Sequence, residues 1–247
     1  MNPDERMAAE LLNPGGGPTG ADPAGRLPMA GMGIPILLFF LSLWMWDSML
    51  LFPFKILTVF FHELSHGLAA IVTGGSIEGI SLSPDQSGFC ITRGGSYWLI
   101  LTAGYLGSLI WGSTLLLLAA RTRHDRLLTQ LLGVGMLLIT LIYIRSLFGF
   151  VFCAASGFAL LYLGQRGSEA FCDQFLRYMG LTSSYYVLID IKSDLIDRSI
   201  PISDAYKLAE MWHLPPMLVG IGWLMIALFL TWKTLKAVMP PHPEQRM

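Results

Sequence analysis

Charge is scarce in this chain. Asp, Glu, Lys and Arg make up 13% of its 247 residues, about half the share of an average soluble domain. So little charge cannot cover a surface that faces water on all sides, which excludes an ordinary soluble domain. The formal net charge is −1. No basic excess exists to hold a phosphate backbone, and no nucleic-acid partner is expected. Cysteine is scarce too. Cys90, Cys153 and Cys172 are odd in number and show no C-x-x-C spacing, so they frame neither a disulfide scaffold nor a thiolate metal site. No signal peptide is expected either. The first apolar run begins too late, is too long, and lacks a small-residue cleavage site. No internal repeat is visible.

What the chain has is apolar length. Hydrophobic residues are 53% of the sequence and the mean hydropathy is +0.57, the signature of a polytopic membrane protein. Residues 1–30 differ in kind. Nine Gly and Pro residues between Pro14 and Pro28 break any periodic face, so this lead-in is expected to be disordered. Six spans follow, at 34–52 (interrupted by Asp47), 54–72, 98–120, 127–144, 147–163 and 214–232. Residues 175–196 form a weaker seventh, being only partly apolar. The expected fold class is all-α, with six or seven transmembrane helices in one domain over 31–236 and a short tail over 237–247. Trp98 and Trp232 sit near span ends, as an aromatic belt requires. Nothing in the pattern specifies an oligomeric state.

With seven spans, the Arg121–Arg126 loop and the Lys233/Lys236 tail fall on one side of the bilayer. The positive-inside rule makes that side cytoplasmic and puts the amino terminus outside. The cell membrane is the expected location.

The second span carries His62-Glu63-Leu64-Ser65-His66. Positions i and i+4 of a helix lie about 40° apart around the axis, so both imidazoles point one way. Two neutral imidazoles on one face are two ligands of a tetrahedral zinc site, and Glu63 falls where it can take a proton from zinc-bound water. Ionisable groups inside a membrane helix cost several kcal/mol unless something compensates, which weighs against a chance match.

Residues 76–95 are too polar to span. Alternation over 76–82, a Pro84–Gly88 turn and a return over 89–92 describe a short β-hairpin or a plain polar loop. A hairpin beside the motif helix would offer a free edge to an extended peptide. The small residues Gly104, Gly107 and Ser108 allow close helix approach in the third span.

A hydrolytic zinc site needs a third protein ligand. His124, His213 and His242 lie in a basic loop, at a span entrance and in the tail. Asp190 and Asp194 are better placed, four apart and flanked by Ile and Leu. Asp190, deeper in the apolar stretch, is the first choice, with Asp194 the alternative.

Together, His62-Glu63-Leu64-Ser65-His66-Gly67 in a membrane helix, the hairpin-like loop, the small-residue helix and a late Asp resemble the site-2 protease family of zinc intramembrane metalloproteases. More narrowly, Asp190-Ile191-Lys192-Ser193-Asp194-Leu195-Ile196, followed by Ser203-Asp204-Ala205, is similar to the late motif of its compact branch. The likeness runs from about residue 54 to 205. It implies zinc held by His62, His66 and an Asp, with Glu63 as general base. It also implies a membrane-protein or membrane-tethered peptide as substrate, cleaved in the lipid bilayer. The chain departs from better-known members, whose Asp lies in a Leu-Asp-Gly motif; Ile189-Asp190-Ile191 lacks that Gly. Two other functions fit the same residues: a protease-like membrane protein that binds without cleaving, and a small transporter with a His/Asp ion pathway.

Overall fold

Gly74 closes the helix that carries the motif. It adopts a φ of +87°, a conformation open to Gly at no steric cost, and Gly75 N–H donates to Ala70 O at 2.7 Å. In the computed structural model, residues 30–46, 48–192 and 203–238 are described. The expected lead-in up to residue 29, Asp47, Asp194 and the tail beyond 238 lie outside them.

Among the described residues, eight α-helices and one hairpin follow in order: α1 (Ala30–Trp44), α2 (Phe52–Val72), β1 (Ser76–Leu82), β2 (Gly88–Arg93), α3 (Tyr97–Arg121), α4 (Asp125–Tyr143), α5 (Leu147–Arg166), α6 (Glu169–Lys192), α7 (Asp204–Trp212) and α8 (Pro216–Val238). Among the described residues, five segments are long and apolar enough to cross a membrane: Met49–Val72, Tyr97–Arg121, Asp125–Tyr143, Leu147–Arg166 and Pro216–Val238. The chain is thus an all-α polytopic membrane protein with a small two-stranded sheet.

Two expected spans look different. The first stops at Trp44 instead of running to 52, and a 3₁₀ turn at Met49–Leu51 intervenes. Ser48 caps that turn by accepting from Leu50 N–H at 3.1 Å. Pro53, which has no N–H to donate, opens α2. The weak seventh span is a 24-residue helix, α6. Buried charge keeps it out of the apolar class: Arg177 Nε donates to Asp173 Oδ1 at 2.6 Å, with both side chains under 10% exposed.

Helix α3 is the hub. It packs on α2, α6, α7 and α8, and Gly112 meets Gly180 of α6 backbone to backbone; a Cβ on either would stand 2.7 Å from the other's carbonyl oxygen. Helices α4 and α5 pair in the same way through Gly133 and Gly157. One apolar core gathers Ile56, Phe60, Leu82, Met136 and Leu176. A second gathers Tyr105, Leu109, Val187, Leu208 and Trp223. The motif face of α2 looks across the boundary between them.

The hairpin expected after α2 is present and antiparallel, Leu82 opposite Gly88 and Ser76 opposite Arg93. A bulge between Ile77 and Gly79 shifts the alternation. It puts Ile77, Ile80 and Leu82 on the buried side and leaves Glu78 outside to pair with Arg93. The outer edge of β1 is occupied. Arg145 N–H donates to Ile80 O at 2.9 Å, and Ser146 Oγ bonds both Leu82 N–H and Leu82 O. Since Ile80 and Leu82 turn their backbone groups outward there, their register partners Cys90 and Gly88 turn theirs to the opposite edge. Among the described residues no strand pairs with that edge.

Candidate metal centre

The motif helix sets the first two side chains. His62 and His66 ring centroids stand 4.8 Å apart at 74°, as the i, i+4 spacing requires. Each ring is braced. Tyr105 meets the His62 ring edge-on at 5.3 Å. His66 Nδ1 donates to Ile100 O at 2.6 Å. A carbonyl oxygen only accepts, so Nδ1 of His66 carries the proton and Nε2 of the neutral ring is left with a lone pair.

Gly104 explains how α3 comes so near. A Cβ there would stand 2.4 Å from His62 Nε2 and 2.6 Å from His66 Nε2. Gly107, one turn on, would put a Cβ 2.2 Å from Ser65 Oγ. The small residues read as a packing feature are therefore also what leaves room for the two imidazoles.

The third group comes from α7. Ser203 caps this helix, its Oγ accepting from Tyr206 N–H, so Asp204 opens the first turn, where the helix dipole favours an anion. Asp204 Oδ2 lies 3.2 Å from His62 Nε2 and 3.0 Å from His66 Nε2. Burial by itself would raise its pKa, but the two adjoining imidazoles, when protonated, hold the carboxyl well below the usual range.

Among the described residues, the cluster of His, Cys, Asp and Glu able to share an ion is His62, His66 and Asp204, with all three ligand atoms within 4.8 Å of one another. The donor set fits zinc. Tetrahedral bonds of about 2.1 Å give ligand-to-ligand edges of roughly 3.4 Å, close to the 3.2 and 3.0 Å from Asp204 Oδ2 to the two Nε2 atoms. The chemistry fits too, because Nε2 of neutral His66 and a carboxylate oxygen are both acceptors. Two acceptors 3.0 Å apart repel unless a proton or a cation lies between them.

The carboxylates singled out from sequence fall differently. Asp194 is outside the described residues. Asp190, near the end of α6, has Oδ2 3.8 Å from Nδ1 of His62. That is the other nitrogen of the ring, so Asp190 is not in the converging set; it approaches from α6 while the capped start of α7 fills the Nε2 side. A sequence signal for Asp204 exists. Ala205, Leu208 and Ala209 form the buried stripe of α7, and Asp204 sits on that stripe directly after a capping Ser.

Glu63 is 5% exposed and lies under the hairpin. A Cβ at Gly88 would meet Glu63 Cγ and Oε1 at 2.8 Å, so the β2 backbone passes straight over the carboxyl. Beside these groups opens a cavity of about 650 Å³, with Glu63, His66, Gly88, Asp190 and Asp204 on its walls.

No curated protein matches the chain, and no solved structure does. The Peptidase M50B-like family model matches residues 35–234, a range that takes in the paired imidazoles, Glu63, the hairpin and Asp204, and the chain belongs to that family.

Proposed function

We propose that this membrane protein is a zinc-dependent intramembrane endopeptidase. The observation that carries the reading is the meeting of His62, His66 and Asp204 beside a cavity that also holds Glu63. His62, His66 and Asp204 would hold the ion, with Asp204 in the role that the sequence suggests for Asp190. When bound, zinc supplies Lewis acidity, lowering the pKa of water and polarising a peptide carbonyl. Glu63 takes the proton of the attacking water and delivers it to the leaving nitrogen. An imidazole pair and a carboxylate would supply the three protein donors that a hydrolytic zinc site takes.

The substrate is a membrane protein or membrane-tethered peptide in extended form, in the bilayer of the cell membrane. Its backbone adds to the free edge of β2, where Gly88 and Cys90 offer donors and acceptors. Because β2 crosses Glu63 at Gly88, a strand on that edge runs past the base. Such a platform supports cleavage over ion transport, which has no use for an open strand edge.

Glu63→Gln keeps the shape of the side chain and removes the base. Purified in detergent, this variant is expected to retain about one zinc per chain while turnover of a membrane-protein substrate falls about 10²–10⁴-fold. Wild-type turnover in that variant would remove Glu63 from its role. Zinc flux into liposomes without cleavage would replace the peptidase reading with the transporter.

A further inference from the structure

His62 and His66 are alike at Nε2 and different at Nδ1. For His66, Nδ1 is fixed by Ile100 O at 2.6 Å. For His62, the group facing Nδ1 is the carboxylate of Asp190, with Oδ2 at 3.8 Å. A histidine that gives Nε2 to a metal almost always donates its other N–H to a carboxylate, carbonyl or water, which fixes its tautomer and raises its basicity. His66 has that partner in place. For His62, an N–H···O bond is about 2.9 Å long, so roughly 1 Å of carboxylate movement completes the contact. The Asp190 side chain is 25% exposed on the cavity wall, so a rotamer change there does not disturb a packed core.

We propose that Asp190 is the positioning residue of this metal centre, accepting the Nδ1 proton of His62 and thereby turning Nε2 toward the site shared with His66 and Asp204. This rests on the zinc reading above. Three consequences follow from the geometry. Nδ1 carries the proton in both rings, so both Nε2 atoms offer lone pairs to the ion. Asp190 is an anion where Ile100 offers a neutral carbonyl, so His62 becomes the more basic ligand. Helix α6 also joins α2, α3 and α7 in shaping the centre, although it supplies no ligand.

The test compares Asp190→Asn, Asp190→Ala, Asp204→Asn and His62→Ala in the full-length protein, with zinc affinity measured by chelator competition. Both Asp190 variants are expected to bind one zinc per chain at saturation with affinity about 10–100-fold weaker. Asp204→Asn and His62→Ala are expected to lose stoichiometric zinc. Nitrogen-15 NMR of His-labelled, zinc-loaded protein gives a readout that a merely structural role would not move: the Nδ1 signal of His62 shifts in Asp190→Asn while that of His66 stays. Unchanged affinity and an unchanged His62 signal in both Asp190 variants overturn the proposal and leave the zinc reading standing. Loss of stoichiometric zinc in Asp190→Asn, with the metal-free protein still folded, makes Asp190 a ligand and overturns it in the other direction. Absence of zinc from the wild-type protein overturns both readings.

Discussion

Adding one methyl group at Gly104 tests whether the close approach of α3 to the motif helix is what allows a metal centre to form. In Gly104→Ala the new Cβ would stand 2.4 Å from His62 Nε2 and 2.6 Å from His66 Nε2, against ordinary contacts of 3.4 Å or more. About 1 Å of separation must therefore be found. It can come from spreading α2 and α3, or from swinging both rings away. Spreading the helices strains a packed interface, an overpacking cost of about 1–3 kcal/mol. Swinging the rings moves two ligand atoms by half a bond length in a site whose bonds are about 2.1 Å. Either route weakens metal binding. Gly135→Ala is the control, because nothing lies within 4 Å of its added Cβ; there the helix gains up to about 1 kcal/mol from the better helix former. Thermal unfolding in detergent and zinc content measured together give the outcome. Gly104→Ala should lose most of its zinc and unfold earlier, while Gly135→Ala should keep its zinc and unfold no earlier. If Gly104→Ala holds a full zinc at wild-type stability, the approach of α3 is not a condition for the site.

Two further perturbations probe the hairpin and the distal end of the bundle. Cys90→Pro removes an outward-facing N–H from the free edge of β2 without touching the β1 ladder; losing one such bond, worth about 0.5–1.5 kcal/mol, should lower kcat/KM about 2- to 12-fold with zinc content unchanged. Equal losses of stability and zinc would mean that the edge serves the fold alone. Asp173→Ala strands the Arg177 guanidinium at a site where both partners are under 10% exposed, which should cost about 3–5 kcal/mol in denaturant unfolding. The double variant Asp173→Leu, Arg177→Met should recover most of that loss, and a failure to recover would place the value of the pair outside its charges.

Much of the fold was legible because membrane helices announce themselves by composition over 20 residues. The starts and ends of α2, α4 and α5 fall within a few residues of the hydropathic expectation. The first span was not legible in full, since hydropathy treats 34–52 as one run. Its break depends on Pro53 and on the cap by Ser48, local features that carry no hydropathic weight. The hairpin was visible as alternation with a turn. Its bulge was not, because a one-residue slip is decided by pairing across strands. Ile77, Ile80 and Leu82 share a face only once Gly79 has shifted the register.

At the candidate site, the split between what could and could not be read follows the range of the contact. His62, Glu63 and His66 lie within five residues on one helix, so their geometry is local and the spacing suffices. Asp204 approaches His62 across 142 positions, and the stripe and cap that mark Asp204 within α7 do not say which residue it meets. The sequence offers Asp190 and Asp194 for the role, and Asp204, at the start of a short helix, is not weighed there. Depth favours Asp190, on the argument that a buried charge needs a reason. But His62 has two ring nitrogens, and both need partners in a metal site. A carboxylate near such a ring can therefore serve at either end, as ligand at Nε2 or as orienting acceptor at Nδ1, and apolar flanks are consistent with both. What separates the roles is the second imidazole. Only a carboxylate that reaches both Nε2 atoms can join them in one donor set, and Asp204 does so at 3.2 and 3.0 Å. The capped first turn of α7 holds it there with an N-terminal dipole behind it, an arrangement that favours a fixed anion at that position more than the end of a long helix does.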